Sequence, residues 1–270
     1  MKKVLRMVFL ITMALLFAFP ILVTILNSFM SPAELDEVFA SGGSLRLIPR
    51  MFTLDAYADL LFSGGVYLRM FWNSLLIALA IAVGSTVIGL IVGYVLAKCR
   101  FHGKDLLRYL YIVIMMMPFQ VTLLPNYIMI RNLGLYNTTW ALIVPGIFAP
   151  LSVFLISQFL RGMPQEEIEA ATLETSSPLR VLIHVVAPRV YPGLLAGFLL
   201  AFAEAWNMVE QPLILLRDSS LYPLSLALNA MKSSSLSVSF AGSVLYMLPI
   251  FLLYRLFEEE LIQGLGSAKF

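Results

Sequence analysis

The sequence predicts an all-α membrane protein with six transmembrane helices. Three observations carry this reading. Only 13% of the 270 residues are charged, and 60% are hydrophobic, whereas soluble domains average about 25% charged. The mean hydropathy is +0.89. The apolar residues fall in continuous runs near the roughly 20 residues that a helix needs to cross a bilayer, not in the alternation of a barrel strand. The length suits one transmembrane domain, 1–270, with little left for a soluble one. A net charge of +2 gives no reason to expect a nucleic-acid partner.

The first span is expected near 7–29. The chain opens MKKVLRMVFLITMALLFAFPILVTILNSF, with basic residues before an apolar stretch, as in a signal peptide. The stretch is longer than the usual h-region of about 7–15 residues, and no small-x-small cleavage site follows, so it is expected to be retained. The longest outer segment follows, 31–70, with Glu34, Asp36, Glu37, Asp55 and Asp59. Within it FTLDAYADLL (52–61) predicts a short interfacial helix.

The second span is expected at 72–97. It carries Ser85, Gly89, Gly93 and Ala97 four apart. Small residues at that spacing let helix backbones approach closely in lipid. The ladder suits packing within the chain or a surface that slides between states. The third span, 106–130, contains MMMPFQVTLLPNY, where Pro118 removes a backbone donor and predicts a kink. Gln120, Thr122 and Asn126 add polar groups at middle and outer depth. The fourth span is expected at 140–160 and the sixth at 238–262, with a second kink at Pro249.

The fifth span, 190–216, is the most informative. Gly193, Gly197, Leu200, Glu204, Asn207 and Gln211 follow spacings of four and three, which predicts one helical face, small in its inner half and polar in its outer half. A charge at mid-membrane costs about 2.5–3.5 kcal/mol on insertion scales. Glu204 is therefore expected to face protein or a watery path, as a packing hydrogen bond or as a lining for a polar solute. Sugar sites use amides, carboxylates and aromatic rings. Gln120, Asn126, Glu204, Trp206, Asn207 and Gln211 are the candidates for the substrate pathway, with Trp206 just off the main face.

Lys and Arg set the orientation. A cytoplasmic N-terminus places twelve of the eighteen inside, among them Lys2, Lys3, Arg6, Lys98, Arg100, Lys104 and Arg108. The other six lie outside: Arg46, Arg50, Arg69, Arg131, Arg217 and Lys232. Both termini and the polar loop 161–189 are then cytoplasmic. In that loop MPQEEIEAATLET (163–175) predicts a helix. Pro164 suits its first turn, Glu166 and Glu167 complement its positive end, and alanines favour its continuation. Ser176, Ser177 and Pro178 should end it and start another. The expected product is a compact knob exposing Ala170 and Ala171 beside Glu169, small enough to enter a partner's groove.

These residues also carry a family resemblance. EAATLETSSPLRVLIHVVAPRVYPG resembles the EAA loop of ABC-importer permeases. FWNSLLIALA, MPFQVTLLPNYIMIRNLGLYNTTWALIVP, FLISQFLRGMPQEEIEAA and AWNMVEQPLIL resemble the second permease of carbohydrate-uptake, maltose-type importers. The likeness covers nearly the whole chain in order. It implies the transmembrane domain of a type I ABC importer in a bacterial plasma membrane. The implied partners are a second, similar permease, two cytoplasmic ATPase subunits and an extracytoplasmic solute-binding protein, all around a chain embedded in lipid. It also implies that Glu169, Ala170, Ala171, Glu174 and Thr175 form the ATPase-coupling site, and that QGLGSAK (263–269) partly matches a tail that approaches the ATPases. One departure stands out. The family's usual Asp-Gly is Glu174-Thr175 here, so the bend must be made without glycine's freedom.

The chain itself is expected to bind no cofactor and no metal and to catalyse nothing. It has no GxxxxGK[ST] loop, so ATP and Mg belong to the partner ATPases. Its single cysteine, Cys99, excludes an internal disulfide and a CxxC metal site. His102 and His184 stand apart from each other and from other ligands. Two other classes compete with the importer. An ion-coupled secondary transporter needs intramembrane acids or broken helices, and Glu204 and Glu210 are its acids. A membrane-embedded enzyme needs a nucleophile and base, and none is visible. Within the importer class, a solute other than a carbohydrate is the alternative.

Overall fold

The computed structural model describes residues 2–40, 48–62, 65–230 and 236–259, and every regular element among them is helical. In chain order they are α1 (Lys2–Asn27), α2 (Pro32–Ala40), α3 (Asp55–Phe62) and α4 (Val66–Lys98). Then come α5 (Lys104–Met116), α6 (Phe119–Asn132), α7 (Trp140–Ile147), α8 (Pro150–Gly162) and α9 (Gln165–Glu174). A short α10 (Pro178–Val181) runs through a π-helical turn, Leu182–Val186, into α11 (Ala187–Arg189). The last are α12 (Tyr191–Trp206), α13 (Glu210–Leu215), α14 (Leu224–Ala230) and α15 (Leu236–Leu256).

Four segments are long and apolar enough to cross a membrane: Lys3–Asn27, Val66–Lys98, Trp140–Gly162 and Leu236–Leu256. Two bent pairs complete the expected six if each counts as one span, α5 with α6 at 103° and Pro178–Arg189 with α12 at 83°. The all-α, multi-span class is as expected. The kink expected at Pro118 is a full break between two helices, and the fifth span is not the continuous helix that the sequence predicts.

The chemistry of proline explains both differences. Met117 is extended, with φ −68° and ψ 130°, as the residue before a proline prefers to be. Its N–H bonds Ile114 O at 3.1 Å, which closes α5, and α6 starts afresh after Pro118. The fifth span stops at Trp206. Pro212 has no N–H to give to Met208 O, the acceptor four residues back. That carbonyl instead accepts the Ser225 hydroxyl, and residues 207–209 leave the helix.

Internal contacts define two compact units, Met1–Phe71 with Leu226–Pro249, and Trp72–Ser225 with Ile250–Phe270. In the first, α1 exposes apolar side chains along its length. Its threonines return their hydroxyls to the backbone, Thr12 to Val8 O at 2.9 Å and Thr24 to Pro20 O at 2.8 Å, which satisfies these hydroxyls within the helix. The segment that follows folds on the end of this helix. Thr53 N–H bonds Phe29 O at 2.9 Å, Ser28 Oγ and Tyr57 Oη lie 2.7 Å apart, and the buried Glu34 carboxylate accepts Arg50 N–H at 2.8 Å. α3 occupies the predicted interfacial helix.

In the second unit the small-residue ladder of α4 packs against α8. A Cβ on Gly89 would stand 2.6 Å from Ile156 Cδ1 and 3.2 Å from Ser152 O. One on Gly93 would stand 3.3 Å from Ser157 N. Ser85 is fully buried. Of the two uses open to the ladder, packing within the chain is the one found. The last carbonyls of α4 are met by cations, as a helix C-terminus favours. Arg108 donates to Leu96 O at 2.9 and 2.6 Å, and Lys104 to Ala97 O at 3.1 Å.

Candidate coupling site and transport pathway

The knob begins with its anchor. Ile168 is 4% exposed and packs with Ile156, Leu160, Met163, Val181, Leu182, Val186 and Val190 into one apolar core. That core joins α8, α9, α10 and the π-helical turn. Ala171, one turn after Ile168, packs against the same core. Glu169 and Ala170 point away from it into solvent, with Thr172 and Glu174. Of the two alanines expected on display, Ala170 is exposed and Ala171 is partly buried. An i, i+3 pair shares one helical face, and that spacing places Ala171 beside the anchor.

The side chain that sequence reasoning missed is Leu173, which is 90% exposed. Five residues from Ile168, it lies well round the helix from the buried face. An isolated leucine off the anchoring face was the available signal. Leu179 and Ile183 are also exposed, at 61% and 50%. The loop thus exposes both apolar side chains and the carboxylates of Glu169 and Glu174.

Two ties hold the knob's root. Lys98, the last residue of α4, donates to Met163 O, and Arg189 pairs with Glu167 at 3.1 Å. The ion pair is solvent-exposed, and such pairs contribute about 0–1 kcal/mol. The apolar core is the stronger tie.

The Glu174-Thr175 departure is resolved by ordinary geometry. Thr175 is extended, with φ −146° and ψ 133°, which any residue adopts. Its N–H bonds Ala171 O at 3.2 Å, and its hydroxyl accepts Ser177 N–H at 3.3 Å. The chain turns into Pro178 without a left-handed residue.

The pathway candidates separate into groups. On α12, Gly193 lies against Phe159 and Gly197 against Ile156. Leu200, Glu204 and Asn207 are exposed. So the small half of the expected face packs within the chain, and the polar half looks outward. Asn207 ends the helix and donates its side-chain amide to Ala203 O at 2.7 Å. Gln211 lies beyond the break, on α13, and does not extend the stripe. It lines a cavity of about 20 Å³ with Asn126, Phe119, Leu142, Pro145 and Ile214. That volume takes about one water, not a sugar. Gln120 is exposed on the first turn of α6. Trp206 departs furthest from the expectation. It is fully buried, its ring stacked on Phe202 with centroids 5.7 Å apart, and it presents no surface to a solute here.

A multi-span helical chain that carries a short helical knob between spans fits the membrane subunit of a transport system. The chain belongs to the family of binding-protein-dependent transport system inner membrane components, whose model matches residues 85–263. It is 32% identical over 255 residues to the arabinooligosaccharides transport system permease protein AraQ of Halalkalibacterium halodurans, covering 93% of this chain and 90% of that one. It is 26% identical over 259 residues to the sn-glycerol-3-phosphate transport system permease protein UgpE of Brucella abortus, covering 92% and 90%. Its fold matches a chain in the crystal structure of a bacterial ABC transporter involved in the import of the acidic polysaccharide alginate. There the TM-score is 0.81, with 21% identity over 96% of this chain and 95% of that one.

Proposed function

We propose that this chain is one of two membrane subunits of an ATP-driven importer for a sugar or oligosaccharide, lying in the bacterial plasma membrane with both termini cytoplasmic. A solute-binding protein delivers the solute outside. Two ATPase subunits, which bind ATP and Mg, close inside and move α9. The movement passes through the Ile168 core into α8 and α12 and opens the pathway in turn to each side. Glu169, Ala170, Leu173, Glu174 and Thr175 form the contact surface, and Ala171 supports it from within. The supporting observation is the knob itself, a helix anchored by one buried isoleucine that displays an isolated leucine to solvent.

The outward stripe of Leu200, Glu204 and Asn207 faces the second permease across the solute path. A carboxylate turned outward from a spanning helix is costly in lipid and is relieved by a watery path between two subunits. The carbohydrate assignment is supported by relatives whose names specify arabinooligosaccharides.

The knob is tested by co-purification in mild detergent. Wild type should retain an ATPase and a second permease. Glu169→Lys and Leu173→Asp should each release the ATPase at least tenfold and keep the second permease, because an interface hot spot is worth about 2 kcal/mol or more. Full ATPase retention in both variants contradicts the assignment.

A further inference from the structure

A second surface stands where the outer ends of α6 and α13 meet the connecting segments. Tyr127 on α6 and Tyr136 beyond it meet edge to face, with centroids 5.6 Å apart. The Arg131 guanidinium lies 5.7 Å from the Tyr127 ring and 5.9 Å from the Tyr136 ring. The Arg217 guanidinium lies 5.7 Å from the same Tyr136 ring. Two like charges thus lie close to one tyrosine ring, whose negative π cloud attracts each of them.

The frame beneath them is rigid. Asn137 adopts a left-handed φ of 60°. Its N–H bonds Leu215 O at 3.0 Å, and its side-chain oxygen accepts Arg217 N–H at 2.8 Å and Asp218 N–H at 2.9 Å. One asparagine therefore ties the segment after α6 to the segment after α13. Arg50, Arg108, Arg189 and Arg255 are paired with carboxylates. Among the described residues neither Arg131 nor Arg217 has a carboxylate partner, and both stand in solvent.

We infer that the Arg131–Tyr136–Arg217 cluster is the docking point for an acidic surface of the solute-binding protein. This rests on the importer reading and its orientation, which place the cluster outside. The chemistry favours a protein over a solute. Small-ligand sites are concave and bury most of the ligand. Here the cationic groups project into water, and the neighbouring cavity is too small for a sugar ring. Arginine and tyrosine on a rigid frame are the residue types that dominate protein interfaces, and paired charge speeds encounter and fixes register. Asn137 supplies the preorganisation that keeps the ordering cost low.

The test uses the assembled importer in proteoliposomes, with ATPase rate followed against the concentration of its own binding protein. R131E/R217E should raise the half-saturating concentration at least about tenfold and leave the rate at saturation unchanged. R131K/R217K should fall between that variant and wild type. Wild-type half-saturation should rise steeply from about 0.05 to 0.5 M salt, and the variant's should not. An unchanged half-saturation in R131E/R217E overturns the docking point, and so does a change confined to acidic solutes, which would make the cluster a solute contact. A wild-type assembly that ignores its binding protein overturns the importer reading itself and this inference with it.

Discussion

At the residue scale the account turns on which side chains face outward. Glu204 on α12 and Asn207 just after it are exposed, although the helix packs its other face on α8. Glu204→Ala should therefore leave the subunit assembled and lower uptake about tenfold, the loss expected for one hydrogen bond to a charged group. Solute uptake beside co-purification of the second permease checks this, and unchanged uptake removes Glu204 from the pathway. The cost of a charge at mid-membrane gave the expectation that Glu204 faces protein or a watery path. Spacing did not show that Trp206 is buried, because stacking on Phe202 depends on how α12 is rotated against its neighbours. Ala171 and Leu173 were legible in part. Their angular distances from Ile168 follow from helix geometry, but the choice of Ile168 as the anchor needs the α8 and α10 core.

At the element scale, backbone chemistry decides where the helices break. Pro118 and Pro212 each remove one N–H, and the carbonyls left over are taken by Met117 N–H and the Ser225 hydroxyl. The breaks lie at positions a proline marks. The 103° angle at Pro118 does not follow from proline, which also occurs inside α15 at Pro249 without ending it. Tertiary packing chooses between a kink and a corner. The small-residue ladder makes the opposite lesson. Its use was undecided in the sequence, and the approach of Gly89 to the Ser152 backbone shows that α4 and α8 are locked together. Gly89→Leu should lower the detergent-solubilised subunit's stability by about 1–3 kcal/mol through overpacking, read as a lower Tm. Gly162, with open space around its Cβ position, is the control and should shift it far less on change to Ala.

At the scale of the whole molecule, six apolar runs, the Lys and Arg bias and the EAA-like loop made the class legible before any coordinates. The Arg131–Tyr136–Arg217 cluster was not legible. Its members are separated by up to 86 residues and meet because Asn137 bonds the segment after α13. The central claim is that this chain moves solute only as part of an ATP-driven assembly. The direct measurement is uptake into liposomes. The chain is reconstituted either alone under an ion gradient, or with its second permease, ATPases and binding protein under ATP. The account predicts no uptake by the chain alone, and uptake by the assembly that needs both ATP and the binding protein. Gradient-driven uptake by the chain alone would contradict it and identify a secondary transporter.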